Sequence, residues 1–306
     1  MIEPLLFIAI GGVGYGAFHP VSSRGILDWF DLRQRGTAMG IKQMGVTAGS
    51  ATAALLLVPL AENFGWRPAV FLASLTLIIG GLICYWHYQD AITPLEKKHE
   101  KPREMCKKLK NIGQNKSLLW VTLGSMILSG AQISLNTYLI IYAHHTLLVP
   151  IVLASVLLVL SEIGGSFGRI LWGIISDRLF GGRRLVLLSL IAFIATIAAL
   201  IMGLLPAGTP FMFIALLSVV FGFCVSGYNG LWMNAATELV PQEQAGLASG
   251  FSTSIGAWGV IIGPPLFGWI IDATGEFFVG WFALGGMLLL VAALFMFLSW
   301  SLRTVD

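Results

Sequence analysis

The chain has 306 residues, 57% of them hydrophobic and only 11% charged, with 36 glycines and 10 tryptophans. So few polar groups cannot cover the surface of a soluble domain of this size, so the composition excludes a water-soluble globule and implies a protein solvated by a bilayer. The formal net charge of +3 gives no basic surface for nucleic acid, and Cys84, Cys106 and Cys224 form no CxxC pair, so neither a disulfide framework, a metal site nor a cofactor is expected.

In chain order, the N-terminus has neither a basic n-region nor a small-residue cleavage site, so residues 5–27 read as a spanning helix rather than a signal peptide. Crossing ~30 Å of hydrocarbon takes ~20 helical residues. Stretches of that length and apolarity follow at 37–60, 68–87, 118–142, 150–175, 185–205, 211–233, 246–271 and 277–301, which makes nine expected spans. An odd number places the termini on opposite sides. One set of connections holds Arg33 and Arg35, the run Lys97 to Lys116, then Arg178, Arg183, Arg184 and Arg303; the other holds only Arg67. The positive-inside rule makes the first set cytoplasmic, with the N-terminus outside and the C-terminus inside. The connection at 88–117 carries eight lysines and arginines interleaved with Glu96, Glu100 and Glu104, and reads as a solvated cytoplasmic linker with some helix. Binding to anionic lipid is its second reading.

The chain matches itself at a shift of 210 residues: Gly36, Ala38 and Gly40 fall on Gly246, Ala248 and Gly250, Asp28 on Glu238, and Gly65 on Gly275. A repeat this long in apolar sequence points to a duplicated helical bundle rather than a short-period solenoid. Moved back by the same shift, the segment from residue 118 begins roughly 90 residues before Met1, so the duplication is expected to be incomplete, with Met1 an internal residue of a longer protein.

The strongest local signal is Gly173-Ile-Ile-Ser-Asp177-Arg178-Leu-Phe-Gly181-Gly182-Arg183-Arg184 between two spans. Glycines allow a tight turn there, a carboxylate at the bundle's face pairs with basic neighbours or a helix N-terminus, and the basic residues hold the loop inside. This segment resembles the signature loop of the major facilitator superfamily, Gly-x-x-x-Asp-Arg/Lys-x-Gly-x-Arg/Lys-Arg/Lys, with one extra residue. The resemblance extends over essentially the whole chain, through the linker, Pro241 to Glu243 and the Gly-x-Ala-x-Gly openings. It implies an all-α polytopic bundle of the 6+6 type in which this chain supplies helices four to twelve. Residues 1–87 would be the remainder of the N-terminal bundle, 88–117 the linker and 118–306 the C-terminal bundle. The implied activity is secondary transport across a membrane, here the bacterial cytoplasmic membrane, of a small solute by alternating access, with protons as a possible coupling partner and no enzyme chemistry.

Candidate site residues are the polar groups inside spans, where charge costs several kcal/mol unless paired or hydrated. Lys42 lies about five residues into its helix, ~7 Å deep, and reads as a substrate or gate contact or as a lysine snorkelling to headgroups. Its neighbour Gln43 adds an amide. Arg169 reads as a structural pairing near the gate or as a substrate contact. Glu162, seven residues earlier and on the same face, is either an ion-pair partner or a protonatable coupling group. The resemblance packs the helices of Lys42 and Arg169 against each other, which implies a basic cavity wall and an organic anion as substrate; a cation or drug exporter and a transport-inactive sensor are the alternatives. His19 falls on Asn229 at the 210-residue shift, and both helices line the cavity in the family, so both are candidate contacts, with a bond across a helix interface as the competing role. Gln132 and Asn136 share a face, with Tyr138 nearby, and Tyr228 and Trp232 stand on the expected tenth helix.

The run Gly12-Val13-Gly14-Tyr15-Gly16 is not a nucleotide loop, since it lies in a span without a preceding strand or a following Lys-Ser/Thr. The family's antiporter signature wants Gly-Pro where this chain has Gly49-Ser50, and Ile8 stands where a buried Arg often precedes the first glycine; both departures count against drug antiport and an Arg proton relay.

Overall fold

Backbone polar groups in hydrocarbon must bond within their own segment, so apolar runs of this length become helices. The computed structural model describes residues 2–31, 33–88 and 102–303. The side chains of His19, Glu62 and Cys106 lie outside that description. Eleven α-helices follow in order: α1 Ile2–Trp29, α2 Arg35–Phe64, α3 Trp66–His87, α4 Pro102–Gln114, α5 Lys116–His145, α6 Ile151–Arg178, α7 Arg184–Leu204, α8 Phe211–Val225, α9 Asn229–Glu238, α10 Ala245–Thr274 and α11 Phe277–Arg303. Among the described residues, seven segments are long and apolar enough to span, namely α3, α5, α6, α7, α8 with α9, α10 and α11. The helices α1 and α2, of 28 and 30 residues, complete the expected order but fall outside that set.

The 210-residue repeat is visible in the helix ends. Shifted by 210, α2 at 35–64 becomes 245–274, the bounds of α10. Gly65 after α2 and Gly275 after α10 both take positive φ, 85° and 75°, which only glycine adopts at no cost. The expected single span at 211–233 is broken: α8 ends at Val225 and α9 starts at Asn229. Gly227 sits at the break, where a Cβ would overlap the Phe223 carbonyl and crowd Gly168 of α6.

Tight helix pairs form where small residues remove side chains from the contact. The pair α6–α8 meets through Gly164, Gly168 and Gly222, and α5–α10 through Gly130, Gly259 and Gly263. The pair α7–α11 is built around Leu187, Ile191, Ala195, Leu288 and Phe295, all fully buried. The helix α2 crosses to α6 and α9, and α1 crosses to α10, so the first three helices are joined to the rest at two seams.

The C-terminal end of α4 packs against the bundle. Ile112 of α4 is buried against Leu118, Ala236 and Ala248. Asn115 caps α5 by accepting from Leu118 N at 3.1 Å, and its amide donates to the Leu239 carbonyl at 3.1 Å.

Candidate functional site

Between α2, α5, α6, α9 and α10 lies a cavity of about 380 Å³. Its polar wall consists of Gln43, Ser129, Gln132, Arg169, Asn229 and Thr253, and Trp232 contributes an aromatic face. No carboxylate is among its described lining residues. Arg169 is 5% exposed and is aimed by two backbone carbonyls: Nη1 donates to Gln43 O at 2.6 Å and Nε to Ser226 O at 3.0 Å. Ser226 lies in the α8–α9 break, where carbonyls lack helical donors, so the interruption of that helix creates the acceptor that fixes the guanidinium. Across the cavity the Asn229 amide donates to Gln132 Oε1 at 3.3 Å. The prolines at 264 and 265 have no N–H, so the carbonyls of Val260 and Ile261, one turn back, have no helical donor; both residues line the cavity. The site therefore offers one fixed positive charge surrounded by neutral donors and acceptors.

One end of the bundle is closed by the signature loop. Asp177 accepts through Oδ2 from the Thr37 backbone N–H at 2.8 Å and the Thr37 hydroxyl at 3.0 Å, and its Oδ1 accepts from Arg184 Nη1. Arg184 also donates to Ser176 Oγ at 2.6 Å and reaches Glu238 Oε1 at 3.5 Å. Thr37 is in the first turn of α2, so the carboxylate meets free N–H groups at the positive end of a helix. Glycines bring the backbones together: a Cβ on Gly173 would overlap the Gly36 carbonyl, and one on Gly40 the Arg169 carbonyl. Gly181, with φ 56°, and Gly182, with φ 82°, make the turn, and Arg178 and Arg183 are exposed.

The candidate residues therefore separate into groups. Gln43, Gln132, Arg169, Asn229 and Trp232 come together at the cavity. Lys42 does not line it. Its Nζ, half-buried, instead donates to Ser23 Oγ of α1 at 3.0 Å and lies 5.8 Å from the Phe18 ring centroid. The cause is helical phase, because adjacent positions such as 42 and 43 point about 100° apart. Tyr228 is buried against α5, bonded to Ser129 Oγ at 2.7 Å and Ser125 O at 3.1 Å. Glu162 accepts from the Asn136 amide at 2.7 Å between α5 and α6, away from the cavity lining, and the Tyr138 hydroxyl donates to Pro264 O. The His19 side chain lies outside the described residues. Sequence reasoning missed Ser129 and Thr253, yet Thr253 is the 210-residue counterpart of Gln43, and the repeat could have found it.

A helical bundle of membrane-spanning length, with a polar, charged cavity between its helices and a glycine-lined loop at one end, places the chain among polytopic membrane proteins. The Major Facilitator Superfamily profile matches residues 5–264 and 151–305, and the chain belongs to that family, which is not one of enzymes. It is 29% identical over 292 residues to an uncharacterised transporter of this family from Mycobacterium tuberculosis, covering 94% of this chain and 62% of that protein. A probable hexose phosphate transport protein of Chlamydia trachomatis is 26% identical over 278 residues, covering 81% of this chain and 60% of its relative. The chain thus spans about three fifths of the length of these relatives. In fold it resembles the Escherichia coli fucose:proton symporter FucP, with a TM-score of 0.72 at 14% identity, covering 92% of this chain and 73% of that one.

Proposed function

We propose that the protein moves a small organic anion across the cytoplasmic membrane by alternating access around the cavity at Arg169. The observation that carries this reading is a buried guanidinium, fixed by two carbonyls, in a wall of amides and hydroxyls without a described carboxylate. Such a wall favours a negative group with neutral polar atoms around it and disfavours a cation. The relative named as a hexose phosphate transport protein points the same way. A drug or cation exporter would need an acidic cavity, and Glu162 stands apart, engaged by Asn136. That half-buried carboxylate, seven residues from Arg169 on the same helix, is the position where a coupled proton would ride, as suits a family that includes a sugar:proton symporter.

In this reading nine helices span, with residues 1–87 completing one bundle, 118–306 forming the other and 88–117 a cytoplasmic linker. The N-terminus of this chain lies outside and the C-terminus inside. Transport by rocking would separate α2 from α6 at the Thr37–Asp177 contact and open the cavity to the cytoplasm.

The test is uptake of labelled hexose phosphates and hexuronates into proteoliposomes, with binding measured in parallel. Arg169→Gln should weaken binding of the transported anion by about 1.5–3 kcal/mol, the worth of a hydrogen bond to a charged group. Arg169→Lys should recover only part, because the fork geometry is lost. Unchanged affinity in Arg169→Gln would reject the anion reading.

A further inference from the structure

A second recess lies away from the transport cavity, where three spans end at one level: α7 begins at Arg184, α9 ends at Glu238, and the span of α11 ends at Leu302. Its volume is about 320 Å³, and Gly182, Arg183, Leu185, Glu238, Leu239 and Ser299 are among its lining residues. Spans begin and end where hydrocarbon gives way to headgroups, so the recess is at headgroup depth.

Three features make it acceptor-poor and donor-rich. Arg183 is exposed; its backbone N–H donates to the Phe180 carbonyl at 3.1 Å, and its side chain makes no hydrogen bond or ion pair among the described residues. Its position is at the N-cap of α7, where no side chain caps the helix, so the positive end of a 21-residue helix opens beside it. Ser299 is 9% exposed, and its hydroxyl makes no hydrogen bond among the described residues. Serines on α6 and α8 instead donate one turn back, as Ser155 does to Ile151 O and Ser218 to Ile214 O. The acidic residue present, Glu238, faces Arg184, which also bonds Asp177. Leu185, Leu239 and Leu302 give the recess an apolar side.

We propose that this recess binds the phosphate of a bilayer phospholipid, with the Arg183 guanidinium, the α7 N-terminus and the Ser299 hydroxyl as donors and the leucines against the glycerol and upper acyl carbons. Charge complementarity and depth select the occupant: a phosphodiester carries the negative charge that Arg183 and the helix end favour, and the bilayer delivers it at this level. Bound there, the lipid joins α7, α9 and α11 next to the Arg184–Asp177 contact, so it supports the closed end of the bundle.

The experiment is native mass spectrometry of the detergent-purified chain titrated with dioleoyl phosphatidylglycerol, with dioleoylglycerol as the phosphate-free probe and inorganic phosphate as competitor. Phosphatidylglycerol should bind with one saturable site, and dioleoylglycerol should not. Arg183→Gln and Ser299→Ala should each weaken that site, Arg183→Gln by about tenfold. Arg33→Gln, which removes an exposed charge from the α1–α2 loop, should leave it unchanged. Equal losses in Arg183→Gln and Arg33→Gln would reduce the binding to general attraction and overturn the proposal, as would unchanged affinity in Arg183→Gln. Displacement by millimolar inorganic phosphate would assign the recess to a free anion and overturn the lipid. Both position 183 and position 33 are exposed, so misfolding does not obscure the comparison; thermal melting of each variant checks it.

Discussion

Thr37 and Asp177, 140 residues apart, are joined twice at a single oxygen: Asp177 Oδ2 accepts from the Thr37 backbone N–H at 2.8 Å and from its hydroxyl at 3.0 Å. Its other oxygen takes Arg184, so one buried carboxylate ties α2, α6 and α7 together. Asp177→Asn should cost about 3–5 kcal/mol, because it breaks a buried ion pair on one side. Thr37→Ala should cost about 1 kcal/mol, since the backbone bond remains. Thermal melting of the purified variants reads the order. Equal losses would show that the charge of Asp177 is not what holds the contact.

The same closed end depends on backbone proximity. A Cβ at Gly40 would overlap the Arg169 carbonyl, whereas one at Gly45, on the same helix, meets nothing within 4 Å. Gly40→Ala should therefore destabilise by about 1–3 kcal/mol, the range for overpacking. Gly45→Ala should be neutral or slightly stabilising, as alanine favours helix. Yield of folded protein by size-exclusion chromatography distinguishes them, and equal behaviour would contradict the α2–α6 packing.

Lys42 and Arg169 should part company in function. Lys42 reaches Ser23 on α1, and Arg169 lines the cavity. Lys42→Met should leave the affinity for the transported anion within about twofold, while altering the transport rate through the α1–α2 contact; loss of a charged cavity bond would instead cost about 1.5–3 kcal/mol. A large loss of affinity in Lys42→Met would return that lysine to the substrate path.

Much of this architecture is legible in the sequence because hydrocarbon imposes a long-range rule on apolar runs, and because the 210-residue repeat carries its glycines to matching helix ends, as at Gly65 and Gly275. The signature loop is readable for a similar reason: glycines, one carboxylate and basic residues at fixed spacing have few structural solutions. Which way a polar residue points is not readable without the helix phase and its neighbours. Lys42 and Gln43 are adjacent, yet only Gln43 lines the cavity. The break between α8 and α9 has no proline to announce it, and it decides where the Ser226 carbonyl holds Arg169. Ser129 and Thr253 are small hydroxyls within helices, where such residues more often bond their own backbone.

We propose the orientation of the bundle from charge asymmetry joined to geometry. Asn115 at the α4–α5 junction donates to the Leu239 carbonyl, and Ile112 packs on Ala236, so the linker helix sits at the same end as Glu238 and the Asp177 contact. That end also gathers Arg24, Arg33, Arg35, Arg178 and Arg183, while Arg67 follows the opposite end of α2, 5.5 Å from the Trp66 ring. A basic end is retained in the cytoplasm. Cys106, in α4, should therefore resist a membrane-impermeant maleimide in intact cells once Cys84 and Cys224 are replaced by serine and alanine. It should become labelled after permeabilisation. A cysteine placed at Arg67 in the same background should show the reverse, reacting from outside without permeabilisation. Labelling of Cys106 in intact cells, with position 67 protected, would invert the topology and place the Asp177 contact at the outer face.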